Sequence, residues 1–491
     1  MPRLIEESQV LGVIFNYAST IVNYTLALAY IILLTKFIPL RQYGYYNAIQ
    51  ALLATIGLFF PTFGLDNAIA REGAMSHAKG GDVYVYYSGM FALTLTIASA
   101  YSLTGIALIP VFIRDGVPAW LMGVVVIWAI FMFVQSMNQA LGFHLWAVGK
   151  VATQGVGYTL GSLVFRIIEI ALIVVLRNVY AIAISYLIGQ AVIMLYYLSK
   201  VRIVPSLRLG LNLIRSKFKA YLSMGFQYWI AYYLTSASGN IIAYLVFKML
   251  GPSGSALYGL ALSIIGLVSN FSIAVGTVFG SVASHGLSLG LNINELAKEY
   301  SSVYVTVSAL ITLAAITLTP LAPILHIING SYAAVVPYVM LLFASAPVSV
   351  IDSIYMVYYW VSGKGWLAVE RSTVGVLVSI LIFLALAHSM GLYAAITSMY
   401  ASTIAMLILY WLNNRPWGVK LGALVALSMI LPTASAMLYV IYDPALAWPI
   451  PQLTITLAFT VIMLILKPIP RSLLADMPTV LRPLFRVFTA D

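Results

Sequence analysis

The sequence predicts an all-α polytopic membrane protein of about fourteen transmembrane helices. They form two six-helix lobes related by a parallel pseudo-two-fold axis, followed by two C-terminal helices. Composition, the spacing of apolar runs and a motif that recurs after about 212–216 residues carry this prediction. Of the 491 residues, 62% are hydrophobic and only 8% charged, and the mean hydropathy is +1.00. A soluble domain carries about 25% charged and about 45–50% apolar residues. A chain this apolar cannot cover a water-facing surface, which excludes a soluble enzyme, a disordered protein and a nucleic-acid module. The roughly 304 apolar residues suffice for about fourteen spans of roughly 20 residues each.

The runs fall at about 10–35, 44–64, 84–109, 118–142, 156–176, 179–199, 221–247, 256–283, 301–327, 333–361, 372–390, 392–412, 421–442 and 449–466, numbered here helices 1 to 14. Helices 9 and 10 contain Pro320, Pro323, Pro337 and Pro347, kinks that a membrane tolerates where neighbouring groups re-satisfy the backbone. The opening MPRLIEESQV has no small-residue cleavage site after a short apolar core, so helix 1 is expected to be retained. The chain has no cysteine, which excludes disulfides and thiolate metal sites.

Charge sets the expected orientation. With a cytoplasmic N-terminus, the inner segments hold 19 of the 25 Lys and Arg residues and the outer segments 5, with Arg166 inside the membrane. Basic residues gather on the cytoplasmic side, so both termini are expected inside, in a plasma membrane. The net charge of +11 is then mostly the inner rim and requires no nucleic acid. The expected organisation is an N-lobe over 1–199, a cytoplasmic amphipathic linker over 200–220, a C-lobe over 221–412, helices 13 and 14 over 413–466, and a basic tail over 467–491. The linker carries six basic residues, Lys200, Arg202, Arg208, Arg215, Lys217 and Lys219, and reads as a segment lying on an anionic leaflet. The tail mixes Leu473, Leu481 and Phe485 with Arg471, Arg482 and Arg486 and is a second interfacial candidate.

An internal repeat supports the two lobes. Lys36, Pro39 and Tyr43-Gly44 after helix 1 match Lys248, Pro252 and Tyr258-Gly259 after helix 7, and Phe63-Gly64 matches Phe279-Gly280. Six helices separate the copies, so both have the same orientation. Substrate sites in repeat-built transporters lie at the repeat interface, which suggests alternating access.

The stretches Ile38–Ala48 and Phe63-Gly64-Leu65 through Arg71 resemble the polysaccharide and O-antigen exporters, lipid-linked oligosaccharide flippases of the multidrug/oligosaccharidyl-lipid/polysaccharide (MOP) superfamily. With the helix count and the basic inter-lobe segment, the resemblance extends over nearly the whole chain. It implies a transporter, not an enzyme, that moves a polyprenyl-(pyro)phosphate-linked glycan to the outer leaflet. An ion gradient (H⁺ or Na⁺) or the membrane potential would drive it, without a cofactor, and the protein is expected to be monomeric. It also implies a cationic cavity between helices 1, 2, 7 and 8. Fourteen helices suit the lipid-sugar branch better than the twelve-helix drug exporters. Lipid II flippases place arginines within helix 1, whereas this helix 1 offers Asn16, Asn23, Tyr17 and Tyr24 and no internal charge.

Each candidate residue has two readings. Arg166 and Glu169, mid-helix 5, share a face at i,i+3 and can pair; intramembrane charges are costly and mark functional sites by default. Drug-exporting relatives place an acidic cation site on helices 1 and 5, which Glu169 resembles; the alternative is a static buried pair. Lys36, Arg41 and Lys248 could attract a phosphate at the outer mouth, or could snorkel. Asp352 within helix 10 is a proton carrier or a hydrogen-bond anchor. Asp66 and Arg71 at the inner end of helix 2 form a gate or an ion pair. Asn16, Asn23, Tyr24, Asn47, Gln50, Gln227, Tyr228, Tyr232, Asn240 and Asn270 line a sugar cavity or make interhelical hydrogen bonds. No histidine has metal-ligand spacing, and Gly363-Lys364-Gly365 lacks the glycine spacing of a nucleotide-binding loop. A drug or metabolite exporter on the same scaffold is the second reading. A membrane glycosyltransferase or ligase is the third, and it would need a larger outer loop than any here.

Overall fold

The computed structural model describes residues 25–468, apart from 61, 149, 289, 291, 414–417 and 443–447, and also 486, 488 and 489. At 78, 151, 152, 224, 228, 267–271, 273, 274, 277, 278, 281, 282, 284–286, 288, 418 and 419 it describes the backbone alone. Asn16, Asn23 and Tyr24, the side chains of Tyr228 and Asn270, and most of the tail therefore lie outside the described residues.

Each of the fourteen apolar runs holds a helix among its described residues, though the run 44–64 is helical only to Gly57 and the run 301–327 is broken after Leu318. The helices are α1 (Thr25–Phe37), α2 (Leu40–Gly57), α3 (Leu65–Ala78), α4 (Tyr84–Ala107), α5 (Ile109–Arg114), α6 (Met122–Ala147), α7 (Val151–Leu176) and α8 (Tyr180–Lys200). Then come α9 (Leu207–Ser288), α10 (Ile293–Leu318), α11 (Leu321–Ile324), α12 (Val336–Ala344), α13 (Ala346–Val361), α14 (Gly365–Met390), α15 (Leu392–Asn413), α16 (Gly418–Ile441) and α17 (Ile450–Leu466). Among the described residues nine helices are long and apolar enough to cross a membrane, or ten if the bent pair over 330–361 is one span. A chain in lipid must satisfy its backbone internally, and a helix does so within one segment.

The prolines expected as kinks mark breaks in the helices, Pro337 and Pro347 at helix starts. Pro337 and Pro347 occupy the first turns of α12 and α13, where a missing N–H costs nothing, and the run 333–361 becomes two helices bent by 41°. Pro320 is the N-cap of the short α11, and Pro323 lies within that helix.

The chain forms two compact units, Met1–Ala256 and Leu257–Asp491. Residues 201–206 connect α8 to α9 without regular structure, and from Leu207 the segment expected as a linker is helical and runs into helix 7 without a break. The only non-helical backbone in α9 is Gly251, with φ 73° and ψ −176°. Pro252 follows it. Proline excludes the α region for the residue before it, and glycine takes the resulting conformation at little cost.

The start of α9 is built into the first unit. Leu213 is buried with Leu65, Ile69, Met90 and Phe143 of α3, α4 and α6. Ser206 N–H donates to Ser88 Oγ at 3.1 Å, and the Tyr84 hydroxyl donates to the Val204 carbonyl at 3.0 Å. The 200–220 segment is thus a packed helix and its lead-in, because Gly210, Leu213, Lys217 and Tyr221 repeat at helical spacing and share one face.

A close backbone approach within this unit joins the turn before α3 to α9. Gly64, at φ 75°, and Gly225 meet so tightly that a Cβ on either would lie 2.3 Å from the other's carbonyl oxygen. Such contact between backbones is how helices approach in lipid. Gly225→Val should therefore lower the melting temperature in detergent by several degrees, corresponding to a loss of about 1–3 kcal/mol from overpacking. Gly239→Ala, where a Cβ would meet nothing within 4 Å, should leave it unchanged or raise it. Equal melting temperatures for Gly225→Val and the parent would show that this contact is not required.

Candidate functional site

Two arginine–carboxylate pairs, each with one fully buried member, occupy the two units, one in each. In the first unit Arg166 and Glu169 are one helical turn apart on α7, with Arg166 Nη1 2.6 Å from Glu169 Oε2. The Glu169 side chain is wholly buried, whereas Arg166 keeps 23% of its side chain accessible. The guanidinium lies 4.6 Å from the Phe165 ring centroid and 5.1 Å from that of Tyr30 on α1. Tyr186 of α8 packs on Phe165 at 4.2 Å and Trp128 of α6 on Tyr186 at 5.5 Å. Glu169 Oε1 has no hydrogen-bond partner among the described residues. An arginine between aromatic faces keeps its charge in an apolar layer through cation–π attraction, and its neighbour's free carboxylate oxygen can accept a proton or a cation.

In the second unit Asp352 of α13 pairs with Arg371 of α14. The Tyr410 hydroxyl of α15 donates to Asp352 Oδ1 at 3.0 Å, and its ring lies 5.4 Å from the Arg371 guanidinium. Arg371 is 1% exposed. By sequence it counts with the inner segments, because it precedes the apolar run 372–390. The structure corrects this: Arg371 sits inside the first turns of α14 and its charge is held by Asp352.

Two clamps fix the first arm of α9 (207–250). Near its start, Glu72 of α3 accepts from Lys217 Nζ at 2.5 Å and from the Tyr221 hydroxyl at 2.8 Å. Near its end, Asp115 accepts from Lys248 Nζ at 2.6 Å and from the Tyr244 hydroxyl. In each clamp one carboxylate holds a lysine and a tyrosine four residues apart, hence on one helix face, with lysine towards the helix end and tyrosine towards the middle. Lys217 and Lys248 are 31 residues apart, or about 46 Å of helix at 1.5 Å per residue. That matches the roughly 40–45 Å bilayer thickness with headgroups.

Electrostatics follow the pairing. Burial pushes the Asp115 carboxyl up, but hydrogen bonds from Lys248 and Tyr244 outweigh it and hold the group below the usual carboxylate range. The hydrogen bond to Glu72 holds the Lys217 ammonium above the ordinary lysine range.

The remaining sequence candidates are dispersed. Lys248, expected as a free cation for phosphate, is neutralised by Asp115. Lys36 is exposed, 5.8 Å from the Phe37 ring, which Arg177 also approaches at 5.3 Å. Arg41 is exposed at the start of α2. Asn47 Nδ2 donates to the Ser255 carbonyl at 3.4 Å, and Asn240 folds back onto the Ser236 carbonyl of its own helix at 3.1 Å. Gln227 and Gln50 are half-buried and Tyr232 exposed. Asp66 is half-buried and Arg71 exposed on α3; the ion pair at this end is made by Glu72, one residue beyond Arg71. Sequence reasoning missed Glu72, Asp115, Lys217 and Arg371 as partners; the i,i+4 Lys/Tyr spacings at 217/221 and 244/248, which straddle the two expected ends of helix 7, were the available signal for the clamps. Among the described residues no group of three or more His, Asp or Glu could hold a metal.

Removing one partner of a buried pair leaves an uncompensated charge, at a cost of about 3–5 kcal/mol. Arg371→Met should therefore destabilise the protein strongly in detergent, and Arg371→Met with Asp352→Leu should recover most of the loss; no recovery would refute charge pairing as the cause. A carboxyl depressed in the folded state stabilises above its ordinary value of about 3.9 and loses that contribution as pH falls through the lower folded value. The melting-temperature gap between the parent and Asp115→Asn should thus narrow between about pH 5 and about pH 3. It should be small, below about 1 kcal/mol, because Lys248 is well exposed.

No protein-family model matches the chain, and no curated protein does. Solved structures match its fold. A lipid II flippase, MurJ, in an inward closed conformation has a TM-score of 0.67 at 13% identity, covering 92% of this chain and 98% of its own. An inward-facing multidrug resistance MATE family transporter of the MOP superfamily has a TM-score of 0.57 at 15% identity, covering 82% and 95%. The eukaryotic MATE transporter AtDTX14 has a TM-score of 0.57 at 16% identity, covering 84% and 95%. This chain with its many apolar helices therefore shares its fold with these solved flippase and transporter structures.

Proposed function

We propose that the chain is a transporter that moves a polyprenyl-(pyro)phosphate-linked oligosaccharide from the inner to the outer leaflet by alternating access. The observation that carries the reading is the fold shared with a lipid II flippase over 92% of the chain. The MATE matches cover 82–84%. The difference is in the direction expected if the C-terminal pair α16 and α17 lies beyond a twelve-helix core. In this reading Arg166 contributes a buried positive charge to the substrate path. Glu169 and Asp352 are the carboxyls that take up and release the coupling cation. Both termini are cytoplasmic, as the 19-to-5 distribution of basic residues favours.

Arginine suits a phosphate because its planar fork donates two parallel hydrogen bonds. Phe165 and Tyr30 hold the guanidinium in place before substrate arrives, which lowers the ordering cost of binding. The second reading, a cation-coupled drug or metabolite exporter, draws on the MATE matches and needs no lipid carrier.

Deleting the gene from its host should abolish export of a lipid-linked glycan, with the glycan precursor accumulating in the inner leaflet. Normal export in the deletion strain would overturn the proposal, and restored drug efflux alone would favour the exporter. In complementation, Arg166→Ala should lose most activity while Arg114→Ala, at the exposed end of α5, retains it. Equal activity would remove Arg166 from the substrate path.

A further inference from the structure

The first three turns of α9 present two stripes beside the face that docks on the first unit. Gly210, Leu213, Lys217 and Tyr221 face inward. At one flank Leu207, Leu211 and Phe218 are 45%, 53% and 42% exposed. Their positions, four and seven residues apart, place them within a narrow arc of the helix. Next round the helix come Arg208, Arg215 and Lys219, all exposed and also sharing an arc. An apolar stripe edged by a basic one is the pattern of a helix in the headgroup layer. Here it is anchored: Glu72 holds Lys217 at 2.5 Å and Leu213 is locked in the core, so the stripes cannot rotate away.

We infer that this flank of α9 is a binding site for anionic phospholipid. Leu207, Leu211 and Phe218 contact the upper acyl chains, and Arg208, Arg215 and Lys219 engage the phosphates. Charge complementarity selects the occupant: this helix start carries three exposed cations and no acidic residue, and Glu72, which reaches it from α3, is already shared by Lys217 and Tyr221. Such cations each favour an anionic over a zwitterionic surface by about fivefold. An occupied site would hold down the N-terminal end of α9, and with it the Glu72 clamp and the Gly64–Gly225 contact.

The chain has no cysteine, so a single nitroxide can report on the site in the full-length protein. The label is placed by Leu211→Cys, with Ser216→Cys on the opposite flank as reference, in nanodiscs of phosphatidylcholine with or without phosphatidylglycerol. Accessibility to oxygen relative to a water-soluble nickel chelate reads immersion. With phosphatidylglycerol this ratio should rise severalfold at Leu211→Cys and not at Ser216→Cys. Added inorganic phosphate should not reproduce the rise, and Arg208→Gln, Arg215→Gln and Lys219→Gln together should abolish it. An equal ratio with and without phosphatidylglycerol, or an unchanged rise in the triple variant, would overturn the inference. So would a rise produced by inorganic phosphate alone. Retained monodispersity and helical circular dichroism show that the triple variant is folded. The readout is independent of glycan transport.

Discussion

The length of the first arm of α9, fastened at both ends, is the constraint on which the first unit depends. A 31-residue interval between Lys217 and Lys248 makes about 46 Å of helix, one bilayer with its headgroups. Tyr221 and Tyr244 are 23 residues apart, or about 35 Å, close to the roughly 30 Å hydrocarbon layer. The clamps follow from that arithmetic. A lysine at each end reaches the wet side, a tyrosine one turn nearer the centre sits where an amphipathic ring is at home, and one carboxylate ties both to the rest of the unit. The carboxylates come from different elements: Glu72 from α3 and Asp115 from the end of α5. The one helix thereby holds both ends of the first unit's helices in register.

The two buried arginines follow a different logic. Neither Arg166 nor Arg371 faces bulk water as a rim charge would, and each has a carboxylate and a tyrosine within reach: Glu169 and Tyr30 for one, Asp352 and Tyr410 for the other. Burying an ion pair rarely stabilises a fold better than apolar packing of the same volume. The retention of two such pairs in a chain with only 39 charged residues therefore argues for a use beyond cohesion. They differ in where accessibility remains. Arg166 is the more open partner of the first pair, and Asp352 of the second. The open group of the first unit suits an anion, and that of the second a cation or proton.

The helices were legible because apolar runs of membrane length have few alternatives to a helix, and each of the fourteen runs holds one among its described residues. Pro337 and Pro347 were legible as breaks, and the 41° bend between α12 and α13 lies beside Pro347; that each proline starts a separate helix was not legible, because a proline reads the same way inside a helix or at its first turn. Arg166 with Glu169 could be read as a pair, since both lie on one helix face. Arg371 with Asp352, Lys217 with Glu72 and Lys248 with Asp115 could not, since each joins elements whose proximity no local pattern encodes. The same reason led Arg71 to be favoured over Glu72: both follow Asp66 on the helix, and only the position of α9 decides which one has a partner.

Continuity of α9 gives these separate features a common mechanical origin. An amphipathic linker joined by a flexible turn would decouple the membrane surface from the helices. Here residues 207–250 form a single helix, and its interruption is deferred to Gly251-Pro252, beyond the second clamp. The basic and apolar stripes, Lys217, Gly225, Tyr244 and Lys248 therefore lie on one rigid rod, and a displacement at one end must be absorbed at the other or at Gly251. A chain of packed elements with fixed geometry carries coupling in this way. The Gly64–Gly225 contact, with no side chain to yield, permits sliding or separation but not gradual compression, so the first unit is built to rest with this seam closed.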